Sequence, residues 1–142
     1  MKIILNKCFG GFDVSPIGYE LYARKKGLDL YVYKSNFNNG DYEYERIDCL
    51  TPNELFVQYF TKDFGKLAKI SDEDYSKYNL TLREEHRTDE TLIEVVEELK
   101  DVANGRFGDL EIVEIPDNCF YKIDEYDGVE TLYYSNSEIN IK

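Results

Sequence analysis

A short apolar run, Lys2 to Leu5, meets two adjacent glycines and then a serine–proline pair in the stretch Asn6-Lys7-Cys8-Phe9-Gly10-Gly11-Phe12-Asp13-Val14-Ser15-Pro16. This order predicts a strand, a turn and a helix. Glycine reaches positive φ cheaply and lets another group come close to the backbone. Serine accepts from the bare amides of a first helical turn, and proline fits there because its missing N–H would be unpaired anyway. Amides gathered at such a junction can hold an anion. The first candidate ligand site is therefore Asn6, Cys8, Gly10, Gly11, Phe12 and Ser15, with Arg87 as the cation that would join it.

The spacing along the rest of the chain predicts further elements. A first helix runs from Pro16 to about Lys26, with Ile17, Leu21 and Tyr22 on one face. Arg24, Lys25 and Lys26 complement its C-terminal dipole, and Gly27 closes it. Leu28, Leu30, Val32 and Phe37 predict a second strand, with Tyr31 and Tyr33 on its other face. Asn38-Asn39-Gly40-Asp41 is a turn into a third strand through Tyr42, Tyr44 and Arg46, which makes a hairpin. Thr51-Pro52-Asn53-Glu54 opens one helical turn, and Leu55 to Thr61 alternates as a strand. Residues 62–85 read as a long loop with a short turn of helix or strand.

The second main helix has the firmest pattern. Thr88 or Asp89 caps it, and Leu92, Val95, Val96, Leu99, Val102 and Ala103 make a core-facing stripe that Asn104-Gly105 ends. Leu110 to Ile115 is a strand stopped by Pro116. Tyr121 to Glu125 and Glu130 to Tyr134 flank Asp127-Gly128 as a second hairpin, and Ile139 and Ile141 could add an edge strand. The order β-α-β-β-β-α-β-β-β predicts one α+β domain over 1–142, with a mixed or antiparallel sheet and two main helices.

Charge limits the partners. The 142 residues carry 29 Asp and Glu against 17 Lys and Arg, a formal charge of −12. This argues against direct binding to nucleic acid or to an anionic membrane surface, both of which call for clustered cations. It suits docking on a basic protein groove. No apolar run approaches the roughly 20 residues needed to cross a bilayer, and the expected location is the cytoplasm. Cys8, Cys49 and Cys119 are odd in number and far apart, and His86 is the only histidine. A disulfide framework, a structural metal and a cofactor are not expected. The 13 tyrosines suit half-buried strands and interfaces, and are compatible with a homodimer.

Two further groups can carry function. Arg87 and Asp89 precede the second helix, where Asp89 caps and Arg87 pairs with a carboxylate or a bound anion. Glu125, Tyr126 and Asp127 surround a hairpin turn, where acidic residues can dock on a basic partner. Asp89, Glu125, Tyr126 and Asp127 are thus the candidate protein-interaction residues. Cys8 lacks a nearby base, and neither GxxxxGK[ST] nor GxGxxG occurs, so the reading leans away from an enzyme.

Three segments together carry a resemblance. They are Asn6-x-Cys8-x-Gly10-Gly11-Phe12 with Ser15; Arg87-x-Asp89-x-x-Leu92-Ile93-x-Val95-Val96-Glu97-Glu98-Leu99; and Val113-Glu114-Ile115-Pro116-Asp117 leading to Ile123-x-Glu125-Tyr126-Asp127-Gly128-x-Glu130. The pattern resembles a family of small proteins encoded by bacteriophages and prophages. It departs at Thr88-Asp89-Glu90, where that pattern has Asp-Asp-Pro, and at Lys100, where it has glycine. The resemblance implies an accessory protein working in a host bacterial cell, in some cases on defence systems. With the charge, it leads to the expectation of a host-protein inhibitor whose acidic surface mimics nucleic acid. The alternative is a nucleotide-binding or sequestering protein that uses the Gly-Gly turn.

Overall fold

The computed structural model describes residues 1–38, 41–48 and 57–136. In chain order the elements are β1 (Lys2–Asn6), α1 (Pro16–Lys26), β2 (Tyr31–Asn38), β3 (Asp41–Arg46), β4 (Val57–Phe60), β5 (Leu67–Ala68), α2 (Asp72–Tyr78), β6 (Asn79–Leu80), α3 (Glu90–Leu99), β7 (Leu110–Glu114), β8 (Phe120–Tyr126) and β9 (Val129–Ser135). Single 3₁₀ turns cover Glu84–His86 and Lys100–Ala103. The class is α+β. Every strand pair among the described residues is antiparallel, and the strands form three separate sheets rather than one. The chain gathers into two compact units, Met1–Lys26 with Leu82–Lys142, and Gly27–Thr81.

In the first unit β1 pairs with β7, Ile3 opposite Val113 and Asn6 opposite Leu110. Alternation along β1 sends residues to opposite faces. Ile3 and Leu5 join Ile115 in a buried cluster packed by Val113, Cys119, Ile123 and Leu132, which brings the β8–β9 hairpin onto that face. On the other face Lys2 reaches Glu97 of α3 at 2.7 Å, and Ile4 is fully buried, as are Leu92 and Val95.

Ser15 caps α1: its hydroxyl accepts from the Gly18 amide at 3.0 Å and donates to the Val102 carbonyl at 2.6 Å. Gly27 closes the helix at φ 69°. The buried face is Gly18, Tyr19, Tyr22 and Ala23, while Ile17, expected inward, is 54% exposed. Gly18 explains the difference. A Cβ there would lie 2.6 Å from Val14 Cγ1 and 3.5 Å from the Ala103 carbonyl, so Gly18 takes the inward position and its neighbour Ile17 is turned outward.

Asp89 caps α3 as expected, accepting from the amides of Thr91 at 2.8 Å and Leu92 at 3.3 Å. Leu92, Ile93, Val95 and Val96 are buried. The stripe breaks at Lys100, whose φ is 53° and ψ −126°. The chain then tightens into a 3₁₀ turn that buries Ala103 and leaves Val102 exposed, against expectation.

The second unit is a five-stranded sheet in the order β5-β3-β2-β4-β6. Its core is aromatic. Tyr33 and Phe60 are fully buried and meet edge to face at 5.6 Å, and Phe64, Tyr44 and Tyr75 add similar contacts. Tyr33 is the buried residue of β2, while Leu28 lies ahead of the strand and is exposed. The hydroxyl makes this possible, because it accepts from the Phe64 amide at 2.9 Å and donates to the Gly65 carbonyl at 2.8 Å. Segment 62–85 is more regular than expected. Ser71 accepts from the Asp74 amide at 3.1 Å to start α2, and the short strands β5 and β6 extend the sheet.

The predicted helical turn at 51–54, Leu55 and Phe56 of the fourth strand, Cys49, the Asn39-Gly40 turn, and Ile139 and Ile141 lie outside the described residues. Among the described residues no helix is long and apolar enough to cross a membrane.

Candidate functional site

The first loop and the tip of the β8–β9 hairpin are joined by Asn6. Its backbone amide donates to Glu130 at 2.8 Å. Its side-chain amide donates to the carbonyls of Cys8 at 2.9 Å and Gly128 at 2.6 Å, and its side-chain oxygen accepts from the Asp109 amide at 2.8 Å. Asn6 is fully buried, so this side chain serves as an internal strut. The Cys8 thiol, half-buried and free, lies 3.3 Å from the Phe107 carbonyl.

Gly10 and Gly11 have φ of 128° and 153°, as a Gly-Gly turn requires. Gly10 also needs to be small: a Cβ there would lie 2.4 Å from the Phe107 carbonyl oxygen. The Gly10 amide donates to the Asp127 carbonyl at 3.4 Å and the Gly11 amide to the Phe107 carbonyl at 3.2 Å. Ser15 is taken up by its own helix. Asp13 presents a carboxylate to the Phe107 amide at 3.2 Å. The donors of the expected anion cradle thus point into the protein and are already used.

Arg87 is also turned inward. It forms a two-pronged pair with Glu130, Nη2 to Oε2 at 2.8 Å and Nη1 to Oε1 at 3.1 Å, and Nη1 donates further to the Ile4 carbonyl at 3.2 Å. Its guanidinium lies over the Phe12 ring at 5.8 Å. The two side chains are 13% and 6% exposed. Glu130 is the functional partner that the sequence reading missed. The available signal was its spacing: Glu130 and Leu132 share the inward face of β9.

Asp89 binds Tyr22, whose hydroxyl donates at 2.7 Å. Burial acts to raise the Asp89 pKa, but the Tyr22 hydroxyl, the Leu92 and Thr91 amides and Lys26 outweigh it and hold the carboxyl below its ordinary value. Burial and then the Asp89 carboxylate push the Tyr22 hydroxyl well above its own. The His86 ring accepts from the Arg83 amide at 3.2 Å through Nδ1. Among the described residues no group of His, Cys, Asp or Glu is placed to hold a metal ion.

The third candidate group is presented outward. Tyr126 pairs with Val129 across a two-residue turn in which Asp127 has φ 53° and Gly128 φ 94°, the signature of a type I′ hairpin. The Glu125 carboxylate accepts from the Gly128 amide and stiffens the tip. Tyr126 is 79% exposed, and Phe9 of the first loop is 70% exposed. The two rings border a shallow groove with Asp124, Glu125, Val129 and Thr131.

Charge is distributed unevenly along the sequence. Residues 82–142 carry 17 Asp and Glu against six Lys and Arg. In α3, Glu97 pairs with Lys2 and Glu98 with Lys25 across exposed surface. Such pairs are worth about 0–1 kcal/mol each. Exposed Glu90, Glu94 and Asp101 form no ion pair among the described residues.

No family model matches this chain, and neither a curated protein nor a solved structure does.

Proposed function

We propose that this chain is an accessory binding protein that meets a basic groove of another protein through the acidic surface of its first unit. The observation that carries this reading is the excess of carboxylates over cations in the first unit, 19 Asp and Glu against 11 Lys and Arg, with Glu90 and Glu94 exposed along α3, Asp101 exposed in the 3₁₀ turn that follows it, and Glu125 and Asp127 at the hairpin tip. Rows of fixed carboxylates on a helix and a turn can stand in for phosphates at a nucleic-acid-binding surface. The resemblance of the terminal motifs to small phage-encoded proteins suggests a host bacterial protein, defence components included, as the partner, and inhibition as the consequence. Nucleotide capture at the Gly-Gly turn has less support, because the amides that it needs donate to Phe107 and Asp127.

The test is competition. Basic DNA-binding proteins of a bacterial host are loaded with labelled duplex DNA, and this protein is titrated in. Displacement of the DNA is expected, with potency that falls steeply as salt is raised. The double variant Glu94→Lys, Asp101→Lys should displace less. DNA retained at every concentration and salt would overturn the reading.

A further inference from the structure

We infer that the groove between Phe9 and the β8–β9 tip receives an arginine side chain carried on an extended segment of the partner. This rests on the reading that the partner is cationic, and it names the anchor. Phe9 on the first loop and Tyr126 at the end of β8 are large rings left 70% and 79% exposed. Tyr126 and Asp124 project from one face of β8, and their cross-strand partners Val129 and Thr131 complete the floor. The space is about 250 Å³, below the roughly 300–1,000 Å³ of a small-molecule site. It suits one long side chain.

Charge decides which side chain. Asp124 and Glu125 line the groove and Asp127 sits in the adjoining turn, so an acidic segment would be repelled. Lys122 lies 3.5 Å from Asp124 with both side chains about half exposed; so weak a pair yields readily to a better cation. A guanidinium can lie flat on an aromatic ring while its edge meets a carboxylate, which an ammonium does less well. The protein already uses this combination internally, with Arg87 over the Phe12 ring and forked onto Glu130. The tip is held ready by the Gly128–Glu125 hydrogen bond and by the Gly10 amide on the Asp127 carbonyl.

The probe is a fluorescein-labelled decapeptide of alternating leucine and arginine, with lysine-for-arginine and glutamate-for-arginine versions, titrated against the full chain by anisotropy. The arginine peptide should bind several-fold more tightly than the lysine peptide, and the glutamate peptide should not bind. Tyr126→Ala and Phe9→Ala, both at exposed positions that keep the fold, should each weaken the arginine peptide about tenfold. Amide shifts in NMR spectra should centre on Phe9 and Asp124–Thr131. Binding unchanged in both ring variants but lost in Glu94→Lys, Asp101→Lys would overturn the groove and leave the acidic-face reading standing. No preference for arginine over lysine would overturn it too. DNA competition that persists while the peptide fails would separate the two readings in the same way.

Discussion

Arg87 and Glu130 lie 43 residues apart in sequence and meet at 2.8 Å in a nearly buried, forked ion pair. The pair ties the segment leading into α3 to strand β9, and Asn6 closes it by donating its amide to the same carboxylate. Breaking such a pair leaves one charge buried and uncompensated, which costs about 3–5 kcal/mol. Arg87→Met or Glu130→Gln alone should lower stability toward that amount in urea unfolding. The double change Arg87→Met, Glu130→Leu should recover a large part of it. Singles that cost under about 1 kcal/mol would show that the pair is not buried in solution.

The two adjacent glycines should differ. A Cβ on Gly10 strikes the Phe107 carbonyl, while one on Gly11 meets nothing within 4 Å. Both have positive φ. Gly11→Ala should therefore cost about 1 kcal/mol of backbone strain alone. Gly10→Ala should cost clearly more, because the Phe107 segment must also move. Equal midpoints for the two variants would contradict the close stacking of these loops.

Lys100 has φ 53° and ψ −126°, a conformation that glycine adopts far more easily than a residue with a Cβ. Lys100→Gly should raise stability by about 1 kcal/mol, despite the greater freedom that glycine gives the unfolded chain. Thermal unfolding of the two proteins side by side provides the check.

Asp89 should make the first unit acid-sensitive. Its folded pKa lies below the ordinary carboxylate value. Its contribution is complete above the unfolded pKa and disappears as pH falls through the folded pKa. Stability should thus be flat near neutrality and decline below about pH 4. Asp89→Asn keeps a capping oxygen and removes the titration. The variant should lose part of the acid-dependent slope in urea midpoints taken between neutral and acid pH, with a modest cost at neutrality.

Local physics made much of the fold readable from the residues. Ser15-Pro16 started a helix, Asp89 capped another, and Asp127-Gly128 closed a hairpin, because each depends on atoms two to four residues away. The readings that failed turned on backbone conformation and packing that residue type alone does not show. Ile17 turned outward because the neighbouring Gly18 takes the inward position against the Ala103 carbonyl. Val102 turned outward because Lys100 breaks the helical period. Tyr33 can be fully buried because the Phe64 and Gly65 backbone satisfies its hydroxyl.

The candidate sites divide in the same way. Residue types and spacing alone marked Asn6, Gly10, Gly11, Arg87 and the Glu125–Asp127 turn as special, since glycine pairs, buried-type polar residues and turn chemistry show in composition. Whether each points inward or outward was decided by tertiary structure. Hydrogen bonds across about 100 residues or more, from Asn6 to Gly128 and from Gly11 to Phe107, turned the expected anion cradle into a strut. The same folding left Phe9 and Tyr126 facing solvent beside a row of carboxylates. Local preferences are set by neighbours in sequence, but the direction in which a polar group spends its hydrogen bonds depends on what the fold brings next to it.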